Sequence, residues 1–200
     1  MRFLLLIFTL GIFACEYTPA KLPILGERDF VNGDTVYHTV RPFCFIDQDS
    51  QQVTEKTFEG KVYVVDFFFT HCPTICPKVT KQMLRLYEKY KDDSRVLLLS
   101  HSIDTRNDTV GRLQEYARNL DVSSKSWHFV TGNSDSIYSI AADYFSFAKE
   151  DAESPGGFVH SGQLILADKH RRIRAFCDGT DEKDVTRFMK EIDVLLNEKE

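Results

Sequence analysis

The chain has 200 residues, 42% of them hydrophobic, and a formal net charge of −5. That is enough for one domain with a good core, and mild acidity without a basic stripe argues against a nucleic-acid partner. Once Cys15 is set aside, the four remaining cysteines are too few for a disulfide scaffold of this size, and two of them share a motif.

Residues 1–14 read as a targeting segment. Arg2 is its positive start, and Phe3 to Phe13 is an apolar run too short to span a bilayer comfortably. The run ends at Ile12-Phe13-Ala14-Cys15, which resembles the lipobox of bacterial lipoproteins. That resemblance implies that Cys15 is acylated and becomes the first residue; the alternative is an ordinary secretory signal and an incidental cysteine. On the lipoprotein reading, 15–21 is a tether and 22–200 one domain. The domain then lies outside the cytoplasm, lipid-anchored to a membrane of the bacterial cell envelope.

Leu22 to Tyr37 is polar, with turn signals at Gly26 and Asn32-Gly33, and is expected to hold an N-terminal hairpin. Phe43 to Ile46 reads as a short strand before a turn. Lys61 to Phe69 is nearly continuously apolar, as in a strand covered on both faces. Val79, Met83, Leu86 and Tyr90 give a helical stripe, predicting a helix over about 74–90. Val96 to Ile103 reads as a second buried strand, 109–120 as a helix, 127–131 as a strand and 134–144 as a helix. Strands at 163–167 and 173–177 follow. A last helix over about 181–197 has Thr180 as its expected N-cap. Alternating strands and helices, then a hairpin and a final helix, predict an α/β domain with a mixed central sheet flanked by helices.

The run Phe-Phe-Phe-Thr-His-Cys-Pro-Thr-Ile-Cys-Pro over 67–77 carries the chemistry. Cys72 and Cys76 are four apart, a spacing that shares one face on a helix. Two thiols so placed can bind a soft metal ion or exchange with a disulfide. A dithiol where the central strand hands over to a helix makes the whole pattern that of a thioredoxin-like fold. The helix N-terminus there favours a thiolate. Pro73 suits an early helical position, whereas Pro77 is expected to distort the first turn around Cys76.

Strand–Cys-Pro-x-x-Cys-Pro–helix, with a distant His in Gly157-Phe158-Val159-His160, resembles the Sco/SenC family. Supporting matches are Asp34-Thr35-Val36-Tyr37-His38, Trp127 to Gly132, and Asp178-Gly179-Thr180. These are membrane-tethered, thioredoxin-fold copper proteins involved in assembling cytochrome c oxidase. The resemblance implies that Cys72, Cys76 and His160 are copper ligands. It further implies delivery to the copper-site subunit of the oxidase, by a chain expected to be monomeric. Thiolates suit Cu(I), and an added imidazole lets a site hold Cu(II) as well; zinc also accepts such donors. No proline adjoins His160, where thioredoxins place one.

Asp104 lies where the family often has Asp-Pro-Glu-Arg-Asp; here the Pro and Glu are missing, while Asp104, Arg106 and Asp108 are read as keeping their places. Asp104, His71 and His101 are candidates to support the ligands from behind. Asp104 has the alternative of a buried or capping role, and His71 of a surface position. For His101 the alternative is a core residue with a backbone hydrogen bond. His38, His128 and His170 read as turn or surface residues. Cys177 falls on an apolar strand face, and a Cys44–Cys177 disulfide stays open. Two other functions compete. One is a thiol–disulfide reductase with Cys72 as nucleophile and Cys76 as resolving thiol. The other is a peroxiredoxin-type peroxidase, disfavoured because Thr70 stands two residues before Cys72 rather than three.

Overall fold

The computed structural model describes residues 21–198. The expected leader, most of the expected tether and Cys15 lie outside them. The chain enters through a hairpin of β1 (Arg28–Val31) and β2 (Asp34–Tyr37). Asn32 and Gly33 take φ of 53° and 89°, the paired positive values a two-residue hairpin turn needs. Then come β3 (Cys44–Asp47), β4 (Gln52–Thr54) and a 3-10 turn at Glu55–Phe58 capped by Thr54. The central unit is β5 (Val62–Phe68), α1 (Cys76–Tyr90) and β6 (Val96–Ser102). After it follow α2 (Val110–Asn119), β7 (Trp127–Thr131) and α3 (Ser134–Asp143). A small hairpin, β8 (Ala148–Glu150) and β9 (Phe158–His160), precedes β10 (Gln163–Ala167), β11 (Ile173–Asp178) and α4 (Glu182–Asn197).

Seven strands form one sheet in the order β11-β10-β5-β6-β7-β3-β4. β5, β6 and β7 run parallel, and the flanking pairs are antiparallel. β5 and β6 are buried along their whole length, which is why their sequences do not alternate. Side chains still alternate between the faces. Phe68 meets Tyr116 of α2, and Trp127 meets Tyr87 of α1 on one face. On the other, Phe67 and His101 meet Tyr144 at the end of α3. The β5–α1–β6 unit, the β10–β11 pair and α4 make the expected thioredoxin-like arrangement, with the N-terminal hairpin as an extension. No helix among the described residues is long and apolar enough to cross a membrane.

Two local expectations are corrected. α4 is capped by Asp181, whose side chain accepts from Lys183 N–H, not by Thr180. The Thr180 hydroxyl is engaged instead by Asp178 at 2.7 Å. Cys44 and Cys177 are both free thiols on strands five places apart in the sheet. At about 4.8 Å per strand that separation is roughly 24 Å, far beyond disulfide reach.

Candidate metal centre

β5 ends at Phe68, and the next residues make a tight turn in which Cys72 N–H donates to the Phe69 carbonyl at 3.2 Å. Cys72 is therefore presented from a loop. The helix begins only at Cys76, with Pro77 in its first turn. The two thiols do not share a helical face as the spacing predicts. Pro73 disfavours helical angles at Cys72, and the turn closed on the Phe69 carbonyl takes their place. Pro77 in turn does not distort α1, because its missing N–H falls where helices leave N–H groups unpaired.

His160 closes the site from β9, 84 residues beyond Cys76, with Nε2 3.3 Å from Cys76 Sγ. The two sulfurs and an imidazole nitrogen all lie within 4.8 Å of one another, and all three residues are buried. The other imidazole nitrogen, Nδ1, is 3.0 Å from the Ser161 carbonyl. A carbonyl only accepts, so Nδ1 carries the proton and Nε2 turns its lone pair toward the sulfurs. Burial lowers the His160 pKa, partly offset by that carbonyl, which keeps the ring neutral.

The two thiols are unlike. Burial works against the Cys72 thiolate. The Cys76 side chain, the Thr74 and Cys76 N–H groups and the Thr74 hydroxyl outweigh it and hold Cys72 below the usual cysteine value. Burial, then the bond to Cys72, pushes Cys76 well above that value. Cys76 thus keeps one proton before two acceptors, the Cys72 sulfur and His160 Nε2. Both sulfurs open on a mainly apolar groove of ≈ 340 Å³ between α1 and α2, which Phe69, Leu84, Tyr116 and Leu120 also line.

The proposed supporting residues divide. His71 Nε2 lies 3.3 Å from Asp104 Oδ2, and buried Asp104 also accepts from Asn107 Nδ2 at 2.8 Å. They brace each other in the loop beside the thiols. His101 is fully buried, and neither ring nitrogen has a hydrogen-bond partner; the backbone bond expected for it is absent. It stacks on Phe67 at 5.1 Å. His128 is not a surface residue: it sits half-buried in β7 with Nδ1 3.0 Å from Asp47 Oδ2. His38 Nε2 donates to the Asp143 carbonyl at 2.8 Å.

Sequence reasoning places the loop Ser154-Pro155-Gly156-Gly157 facing the dithiol but misses two contacts. A Cβ on Gly156, whose φ is 84°, would lie 2.7 Å from Phe69 and 3.2 Å from Pro73. The loop of the His160 hairpin therefore rests directly on the cysteine loop. Two successive glycines in the sequence were the signal for it. Asp108, fully buried, bonds Thr70 two residues before Cys72; its match to the family's Asp-Pro-Glu-Arg-Asp run marks the position, but not this bond.

The SCO1/SenC family model matches residues 32–196. The SCO1 protein homolog of Bacillus subtilis is 31% identical over 150 residues, 74% of this chain and 78% of that protein. Among solved structures, BsSco, described as a member of the Sco family of cytochrome c oxidase assembly proteins, superposes with a TM-score of 0.71. It is 28% identical, over 81% of this chain and 95% of that one. Arabidopsis thaliana ScoI with copper bound gives a TM-score of 0.66 at 26% identity, over 80% of this chain and 99% of that one.

Proposed function

This chain belongs to the SCO1/SenC family, and on that premise we propose that it is a copper chaperone. Cys72, Cys76 and His160 hold the ion, and the copper-site subunit of cytochrome c oxidase receives it. The observation that carries this reading is the convergence of two sulfurs and one correctly protonated imidazole within 4.8 Å. Two sulfurs satisfy Cu(I), and Nε2 adds the nitrogen that Cu(II) prefers. Cys72, held below the usual cysteine value, ionises more readily than Cys76. Cys76 must release its proton, so loading is proton-coupled. That release also frees the Nε2 lone pair. We read the chain as a monomer whose domain, from residue 22 on, is tethered by lipid on Cys15 to an envelope membrane.

The unequal thiols favour a second reading, a thiol–disulfide reductase that keeps the subunit's cysteines reduced. The more acidic Cys72 would attack and protonated Cys76 would resolve the mixed disulfide.

Anaerobic titration of the reduced protein tests the first reading. One copper per chain is expected, with thiolate-to-Cu(II) charge-transfer absorption that disappears in Cys72→Ala and in Cys76→Ala. The disulfide form should take up none. A band retained in both single variants refutes the ligand set. Insulin reduction at a thioredoxin's rate, with equal copper uptake by both redox forms, decides for the reductase.

A further inference from the structure

Asp108 has no part in the donor set, yet it is fully buried at the mouth of the loop after β6. Its backbone N–H donates to the Asp104 carbonyl at 2.8 Å, which fixes where its carboxylate lies. Three donors converge on that carboxylate. Thr70 Oγ1–H reaches Oδ1 at 2.6 Å, while Thr70 N–H and Ser102 Oγ–H reach Oδ2 at 3.0 and 2.6 Å. The Thr70 hydroxyl has one proton, and it goes to Asp108. Its lone pair accepts Arg112 Nε–H from α2 at 3.1 Å. Thr70 is thus held through backbone and side chain, between β6 and α2. It is also a central residue of the turn that Cys72 N–H closes on the Phe69 carbonyl at 3.2 Å.

We propose that Asp108 is a positioning residue which, through Thr70, pre-organises the Cys72 loop for both copper binding and disulfide closure. The copper half rests on the function proposed above; the disulfide half does not. Cys72 belongs to no helix or strand, so its placement beside Cys76 depends on what holds that turn. Asp108 supplies this hold without touching either sulfur. With the clamp gone, bringing the sulfurs together includes ordering the loop, and every product that needs both sulfurs becomes less favourable. Closure itself is a two-electron exchange. The two thiols lose two protons and two electrons to glutathione disulfide, which leaves as two molecules of glutathione, while one S–S bond breaks and another forms.

The test uses Thr70→Val, Thr70→Ser and Asp108→Asn. Thr70→Val keeps the shape and the N–H bond but loses both hydroxyl bonds. Thr70→Ser keeps the hydroxyl. Asp108→Asn turns an amide toward donors. Each protein is equilibrated with glutathione buffers, and, when reduced, competes with a chelator for Cu(I). Thr70→Val and Asp108→Asn are expected to lower both equilibrium constants about tenfold. Thr70→Ser should stay within about twofold of the parent. The double variant Thr70→Val/Asp108→Asn should be no worse than Asp108→Asn, because both act on one clamp. Should Asp108→Asn not fold, the Thr70 pair decides alone. Parental constants in Thr70→Val, or a Thr70→Ser no better than Thr70→Val, overturn the proposal. A parent that binds no copper defeats the chaperone reading alone, and the glutathione constants still judge the clamp.

Discussion

Two buried ionisable groups on neighbouring central strands predict a hidden pH balance. Asp66 on β5 is level with Ser100 on β6, and Phe67 with His101, so Asp66 and His101 point to opposite faces. Trp127 Nε1–H donates to Ser100 Oγ at 2.8 Å, and the Ser100 hydroxyl donates to Asp66 Oδ1. Burial pushes Asp66 from 3.8 up to about 7, with the Ser100 bond opposing. Burial alone, among Phe43, Phe45, Phe67 and Tyr144, brings His101 from 6.5 down to about 3. As pH rises through 3.8 and toward 7, native Asp66 keeps a proton the unfolded chain has released, so stability falls. As pH falls through 6.5 and toward 3, unfolded His101 gains a proton the native ring refuses, so stability falls in that direction instead. Each slope is at most ~1.4 kcal/mol per pH unit. Between 3.8 and 6.5 the two oppose each other and nearly cancel.

Asp66→Asn keeps an acceptor for Ser100 and removes one slope. Relative to the parent, its stability should climb with pH across that window, by up to about 4 kcal/mol in all. His101→Phe keeps the ring packing and removes the other slope, so its stability relative to the parent should fall with pH. It should also gain about 2 kcal/mol near neutrality, because two unpaired buried nitrogens disappear. Urea unfolding of reduced, metal-free protein at pH 4, 5, 6 and 7 reads both effects free of copper and disulfide linkage. An Asp66→Asn profile parallel to the parent's would refute the reasoning.

Gly156→Ala should destabilise the protein by about 1–3 kcal/mol, since the new methyl meets Phe69 at 2.7 Å and φ is 84°; thermal unfolding measures this. His160→Ala should weaken Cu(II) binding at least tenfold more than Cu(I) binding, read by parallel chelator competitions, since two sulfurs suffice for Cu(I). Equal losses would mark His160 as structural. Cys15→Ser should release the protein from membranes, and an intact mass starting at residue 15 without lipid would sink that expectation.

The elements the sequence announces most clearly are those whose burial is complete. β5 and β6 read as strands because both faces are covered, and the thiols stand out at the end of the first. What escaped reading depends on partners far along the chain. β8 is Ala148-Lys149-Glu150, three residues without an apolar period, held by pairing with β9 and by Ser161 N–H donating to the Phe147 carbonyl at 3.3 Å. The i, i+4 spacing puts Cys72 and Cys76 on one helix, whereas the chain turns at Cys72 and begins α1 only at Cys76. His101 illustrates the converse: its position on the strand is legible, but not that four aromatic rings would surround it and leave both ring nitrogens without a hydrogen-bond partner. Asp108 is a loop aspartate until the fold sets Thr70 beside it.

The site's construction separates its donors mechanically. Both sulfurs come from one short segment, fixed behind by Thr70 and in front by the first turn of α1. The imidazole comes from a hairpin outside the seven-stranded sheet, whose β8 and β9 pair only with each other. Its ring orientation is set within its own segment by the Ser161 carbonyl, and its approach by Gly156 against Phe69 and Pro73. The two supports touch where Gly156 meets Phe69 and Pro73, yet a disturbance of the hairpin should displace the nitrogen first, and a disturbance of the Thr70 clamp a sulfur first. On the proposed copper reading, loss of the first kind should fall on Cu(II), and loss of the second on both oxidation states. Chelator competitions on Gly156→Ala and Thr70→Val check this: a larger loss for Cu(II) than for Cu(I) is expected in the first and equal losses in the second, and the same ratio in both variants would refute the division.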